Sequence, residues 1–259
     1  MPPPAIELHN LTVVYEQKPA IWNLDFQMPG GQMIGVVGPN GSGKSTMLKA
    51  VMGLIEPGSG YVRIFGEALD AVRQRMAYVP QRSSVDWDFP ITVFETVLMG
   101  RIRPGSLLRR PSRQDREVAL ECLRRVQMEP FRERQISQLS GGQQQRVFIA
   151  RALAQEGELY LLDEPFAGVD ASTEAAIVAL LKEMKAQGKT IMVVHHDLQS
   201  VPEYFDSVVM LNTRLVAAGP VGSAFTLENL QQTYGGSLSI LAQVSHLVGA
   251  GGHLLREDH

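Results

Sequence analysis

Cysteine is almost missing from this sequence. Cys122 is the only one among 259 residues, so no intrachain disulfide can staple the fold, as expected of a chain kept in a reducing compartment. Long apolar runs are missing too. No stretch approaches the roughly 18–20 residues that a membrane span needs, so any membrane role is expected to come through partners. There is no excess of positive charge either: 24 Lys and Arg stand against 27 Asp and Glu, a formal net charge of −3. That balance argues against a general nucleic-acid binder. The opening Met1-Pro2-Pro3-Pro4 has neither the charged nor the apolar region of a signal peptide, and no repeat at solenoid spacing runs through the chain. What is present is 44% hydrophobic residues, core enough for one large α/β domain or two modest ones.

Short β-rich runs alternate with helical patterns. Residues 33–37, 61–65, 159–162, 190–194 and 208–211 read as strands. A helix runs from Lys44 towards a stop near Gly53. Another carries Ala176, Ile177, Leu180, Leu181 and Met184 on one face. Such alternation implies a mainly parallel sheet covered on both faces. From about Ser83 to Ala154 strand signals thin out and helical ones take over, with Ala119, Leu120, Leu123 and Val126 on one face. The expected organisation is an α/β core over about 5–82 and 155–225, a helical subdomain over 83–154, and a tail over 226–259. Beyond about Thr226 periodicity is weak, and a frayed end is expected.

Directly after the first core strand stands Gly38-Pro39-Asn40-Gly41-Ser42-Gly43-Lys44-Ser45, a P-loop at the opening of a helix that continues through Thr46. Its glycines let consecutive N–H groups turn inward on phosphate oxygens, and the helix start adds partial positive charge. Lys44 can then reach the β- and γ-phosphates, and the Ser45 hydroxyl can ligate Mg²⁺. A second element is the apolar run Leu159–Leu162 ending in Asp163 and Glu164. An acid at the carboxyl end of a buried strand is placed where α/β sheets bind ligands. Asp163 suits Mg²⁺, and Glu164 can orient an attacking water.

P-loops serve kinases, GTPases and helicases alike, so the discriminating segment is Leu139-Ser140-Gly141-Gly142-Gln143, followed by Gln144-Gln145-Arg146. Ser140 is a natural helix N-cap, and bare glycines leave the N–H groups of the first turn open to a phosphate. A second phosphate-binding helix start makes sense if it serves a different nucleotide. On this segment and the P-loop, the sequence resembles the ABC ATPase family over roughly residues 5–225. The resemblance implies a RecA-like P-loop NTPase core with an antiparallel β subdomain and an inserted helical subdomain. It also implies hydrolysis of ATP with Mg²⁺ in a homodimer, where Ser140, Gly141, Gly142 and Gln143 meet the γ-phosphate bound by the other subunit.

The family's remaining motifs match residue by residue. Tyr15 is the aromatic that stacks on adenine, or else an ordinary strand tyrosine. Gln81 is the glutamine that reaches Mg²⁺ and water and senses a membrane partner. Asp170, in Ala167-Gly168-Val169-Asp170, is the aspartate that crosses the dimer interface. Of the adjacent His195 and His196, the one before Asp197, His196, is taken as the γ-phosphate contact, with His195 as its rival.

The stretch Gln81–Arg101, together with Arg132–Gln138, is similar to the same region in bacterial ATPases of manganese, zinc or iron(II) importers. This implies permease subunits docking near Gln81–Arg101, an extracytoplasmic metal-binding protein acting indirectly, and a place on the cytoplasmic face of the inner membrane. Manganese is the favoured cargo. Trp87 and Phe89 either line a groove for a permease helix or pack the helical subdomain. Asp86 and Asp88 read as solvated loop acids. Arg101, Arg103, Arg109, Arg110, Arg113 and Arg116 form a basic stretch that is either a solvated loop or an attraction for anionic headgroups or for a permease. A soluble ABC ATPase of translation or DNA repair is a rival, but the former usually carry two cassettes in one chain and the latter separate their motifs by long coiled coils, and this sequence shows neither feature. An exporter ATPase is opposed by the similarity of the docking segment alone.

Overall fold

The computed structural model describes residues 3–15, 18–102 and 110–235. The chain forms two compact units, one from Met1–Val72 with Met192–His259 and the other from Arg73–Ile191.

The first unit opens with strands β1 (Ile6–Tyr15), β2 (Lys18–Met28) and β3 (Met33–Val37), then helix α1 (Lys44–Val51), strands β4 (Ser59–Ile64) and β5 (Glu67–Ala68), and a short α2 (Leu69–Val72). Antiparallel pairing in the order β2-β1-β4-β5 makes a four-stranded sheet. Along β1 the buried residues are Ile6, Leu8, Leu11 and Val13. Their alternation slips once between Leu8 and Leu11, where Asn10 adopts φ 46°. Asparagine tolerates that left-handed bulge better than most residues.

The second unit holds β6 (Met76–Val79), α3 (Val93–Leu98), α4 (Arg113–Arg125), α5 (Gly141–Ala154), β7 (Leu159–Asp163) and α6 (Ala171–Ala186). Strands β6 and β7 pair in parallel, Val79 beside Leu162. Every residue of β7 is buried, as a continuous apolar run between covered faces requires. Side-chain caps start these helices: Thr92 with Glu95, Ser112 with Asp115, Ser140 with Gln143, and Asp170 with Thr173. Each satisfies N–H groups that the first turn leaves unpaired. The buried face of α4 is Ala119, Cys122 and Leu123, followed by Val126 at its C-cap, while Leu120 is half-exposed. On α6 Ile177, Leu180, Leu181 and Met184 are buried, but Ala176, expected on that face, is exposed. Alanine contributes too little apolar area to fix which way a helix turns.

Strand β8 (Thr190–Val194) crosses from the second unit to the first. Thr190 donates to the Glu158 carbonyl in one, and His195, just past the strand, to the Val36 carbonyl in the other. The first unit resumes with α7 (Val201–Tyr204), β9 (Ser207–Asn212), β10 (Arg214–Pro220), α8 (Val221–Ala224) and α9 (Leu227–Tyr234). β9 runs parallel to β3 and antiparallel to β10.

The expectation of a frayed tail from Thr226 is corrected by α9. Thr226 caps it, Leu230 and Thr233 are fully buried, and the Gly38 amide donates to the Tyr234 hydroxyl. Eight residues are too few for periodicity to announce a helix, and its stability comes from tertiary contact. Residues 236–259, including His246, His253, His259 and Gly249–Gly252, lie outside the described residues, as do Arg103 and Arg109. Among the described residues no helix is long and apolar enough to cross a membrane.

Candidate functional site

In the first unit the loop Gly38–Gly43 joins β3 to α1 with Gly38, Gly41 and Gly43 all at positive φ. Gly43 (φ 96°) has no room for a side chain, since a Cβ would stand 2.4 Å from the Ala20 carbonyl oxygen. The backbone is therefore free to curl against β2. Lys44 is 5% exposed and folds over the loop, its Nζ donating to the carbonyls of Gly38 and Pro39 at 2.8 and 2.9 Å. Ser42 is buried with a hydroxyl that meets no hydrogen-bond partner among the described residues. A buried orphan hydroxyl beside a buried ammonium and a helix start is a donor set that fits phosphate. Pro39, Ser45 and Thr46 are half-buried, and Asn40 and Gly41 are exposed. Tyr15 ends β1 with 48% of its surface exposed, leaving a ring face open to stacking.

The two histidines separate clearly. His195 is buried, its Nε2 is 2.7 Å from Ser200 Oγ, and Tyr204 and Phe205 pack against its ring. Burial lowers its pKa to about 4, which favours the neutral imidazole. His196 is exposed.

In the second unit the parallel strands β6 and β7 bring Gln81, Asp163 and Glu164 to one end of the pair. Asp163, 1% exposed, ends β7. Tyr78 on β6 donates its hydroxyl to the Asp163 carboxylate; burial first, then that carboxylate, push the phenol well above its ordinary pKa and keep it a donor. Glu164 follows at φ 53°, a left-handed conformation that costs a non-glycine residue about 1–2 kcal/mol. Strain of that kind is commonly kept where a side chain must be aimed. Its Oε2 accepts a hydrogen bond from Gln81 Nε2 at 3.0 Å.

The signature segment, Ser140–Gln143, makes the cap and first turn of α5. Gln143 N–H donates to Ser140 Oγ at 3.4 Å, and Ser140 N–H donates to Gln143 Oε1 at 2.9 Å. Asp170 caps α6, accepting from Ser172 Oγ, Thr173 N–H and Thr173 Oγ1. Those donors, Ser172 foremost, hold its carboxyl well below the usual carboxylate range.

Sequence reasoning missed Tyr78, Arg82 and Gln144. Arg82 donates to Gln144 through Nε and Nη2, and nothing in their spacing signals the pair. In the segment Gln81–Arg101 Trp87 is held from within: its indole N–H donates to the Arg82 carbonyl at 2.8 Å and its ring packs 4.9 Å from that of Phe148. Phe89, by contrast, is 59% exposed. Arg101 is no free cation for headgroups, being bonded to Asp115, Glu156 and the Ala154 carbonyl.

Residues 21–167 match the model of the ABC transporter family. The chain belongs to that family. Within it the chain is an ATP-binding, ATP-hydrolysing subunit. It is 55% identical over 235 residues to the zinc transport system ATP-binding protein TroB of Treponema pallidum, covering 91% of this chain and 88% of that one. It is 53% identical over 236 residues to the manganese transport system ATP-binding protein MntB of Bacillus subtilis, covering 91% and 94%. Among solved structures, a dimeric ATP-binding cassette in a post-hydrolysis state with ADP and Pi superposes with a TM-score of 0.73 at 31% identity, covering 83% of this chain and 98% of that one. The fold is thus that of the family's P-loop ATPases.

Proposed function

We propose that this chain powers an importer of a divalent transition metal, manganese first, from the cytoplasmic face of the inner membrane. It works as a homodimer beneath permease subunits that receive their cargo from an extracytoplasmic metal-binding protein. The observation that carries the ATPase half of this reading is the Gln81–Glu164 hydrogen bond beside the buried Asp163. The relatives named for manganese and zinc transport support the cargo.

Each residue has a defined task. The P-loop amides from Gly38 to Ser45, with Lys44 and Thr46, bind the phosphates. Lys44 leaves the loop carbonyls for the more negative phosphate oxygens, a gain in charge pairing. Tyr15 stacks on adenine. Ser45, Asp163 and Gln81 are the residues that would hold Mg²⁺, which would supply charge neutralisation on the phosphates. Glu164 orients water for attack on the γ-phosphorus, and Gln81 restrains that carboxylate. His196 steadies the γ-phosphate. Ser140, Gly141, Gly142 and Gln143 act on the nucleotide of the opposite subunit, with Asp170 beside the interface. Phe89 faces the permease, on a segment that Trp87 packs in place.

A second reading is zinc as cargo, favoured by the identity with the zinc-named relative. Uptake of radiolabelled manganese and zinc by cells lacking the chain, with and without its reintroduction, tests both. Loss of manganese uptake alone is expected. Loss of zinc uptake alone would overturn the choice of metal, and loss of neither would overturn the transport role.

A further inference from the structure

Arg82 directly follows Gln81, yet its side chain belongs to another element. Its Nε and Nη2 both donate to Gln144 Oε1 in the first turns of α5, at 3.1 and 3.0 Å. Gln144 is 4% exposed, and its own Nε2 donates to the Ile136 carbonyl at 3.1 Å, so this amide is held from both ends. The guanidinium also occupies the space that a side chain at Gly141 would need. A Cβ there would stand 3.0 Å from Arg82 Cζ and 3.2 Å from Nη1. At Gly142 the nearest atom to such a Cβ is 3.5 Å away, an ordinary contact. The Arg82 guanidinium thus lies against Gly141 and not against Gly142. On its other side Arg82 accepts the Trp87 indole N–H through its carbonyl.

One residue thus joins three parts: Gln81 with its hold on Glu164, the signature helix, and the segment around Trp87. We propose that Arg82 is a positioning residue that couples the Gln81–Glu164 pair to the first turn of α5. A change at one chain's hydrolytic carboxylate then alters the signature group this chain presents to its partner's nucleotide. This rests on the reading of the chain as a dimeric ATPase. The physical reason is geometric. Two hydrogen bonds that converge on one buried oxygen tolerate little displacement, and breaking them strands a buried acceptor. When Gln81 shifts, α5 follows.

The test uses the full chain as Arg82→Ala, Arg82→Lys, Gln144→Ala and the Arg82→Ala/Gln144→Ala double variant. ATP affinity is read with a fluorescent ATP analogue, turnover by phosphate release, and folding by Tm. For Arg82→Ala we expect analogue binding within about twofold of wild type and kcat lowered about tenfold at nearly constant KM, the split produced by misplacing groups and not by losing substrate. Gln144→Ala should lose a similar factor, and the double variant no more than either, because both remove one link. If Arg82→Ala lowers Tm, Arg82→Lys decides: its ammonium keeps a donor on Gln144 and should recover both Tm and most of kcat. Full kcat in Arg82→Ala, multiplicative losses in the double variant, or a Lys variant with wild-type Tm and alanine-like kcat would overturn the coupling. An inactive wild-type chain would overturn the ATPase reading itself.

Discussion

Gln81 Nε2 lies 3.0 Å from Glu164 Oε2, although 83 residues separate them in the chain. The contact follows from the parallel pairing of β6 and β7, which sets Val79 beside Leu162 and so brings the two strand ends together. A glutamine amide can restrain a carboxylate without neutralising it, which leaves Glu164 free to polarise water while fixing its direction.

If Glu164 is the group that orients water, Glu164→Gln should bind ATP normally and lose about 10²–10⁴-fold in turnover. The ATP-bound dimer should then accumulate, which gel filtration with ATP would detect. Gln81→Ala should be milder, because the carboxylate remains but loses a tether. Near-normal hydrolysis by Glu164→Gln would rule out this role.

Gly142 and Gly141 offer a contrast within one turn. Gly142→Ala meets Thr173 and Val169 atoms at 3.5 Å and beyond, and alanine favours a helix over glycine by about 1 kcal/mol. Its Tm should hold or rise while turnover falls, since the added methyl obstructs a phosphate arriving from the partner. Mixing Gly142→Ala with Lys44→Ala should restore activity that neither has alone, because one composite site is then intact. Full activity of Gly142→Ala by itself would place the signature turn away from the nucleotide.

Stability should depend on pH through His195. Burial lowers its pKa to about 4 in the fold, against about 6.5 when exposed. The unfolded chain therefore binds more protons between these values. The stabilisation is complete above about pH 6.5 and is lost as pH falls towards 4, by something of the order of 3 kcal/mol. Urea unfolding across that range should show the slope in wild type. His195→Phe should be less stable at pH 7 and should lack this slope; an unchanged slope would assign the effect to other groups.

Trp87 and Phe89 should separate packing from docking. Trp87→Ala removes the contact with Phe148 and the bond to the Arg82 carbonyl, so a loss of about 2–4 kcal/mol is expected in denaturant titration. Phe89→Ala should leave Tm and the isolated chain's hydrolysis unchanged and abolish metal uptake in cells, as removal of an exposed aromatic anchor does at an interface. Unimpaired uptake with Phe89→Ala would remove that side chain from the permease surface.

The sequence alone determined the parts of this protein that are made by neighbours in the chain. Gly38–Ser45 must carry glycines because the backbone has to turn there. Ser140 reads as a helix cap because a cap acts within three residues, and Leu159–Leu162 reads as a buried strand because every residue of it is apolar. Tertiary structure decided the rest. It separated buried His195 from exposed His196, ordered α9 by burying Leu230, and turned Trp87 inward while leaving Phe89 out. It also set Arg82 on Gln144 across 62 residues and Gln81 on Glu164 across 83. Such pairings depend on which strands and helices come to lie together, and side-chain type and local spacing carry no record of a partner that far along the chain.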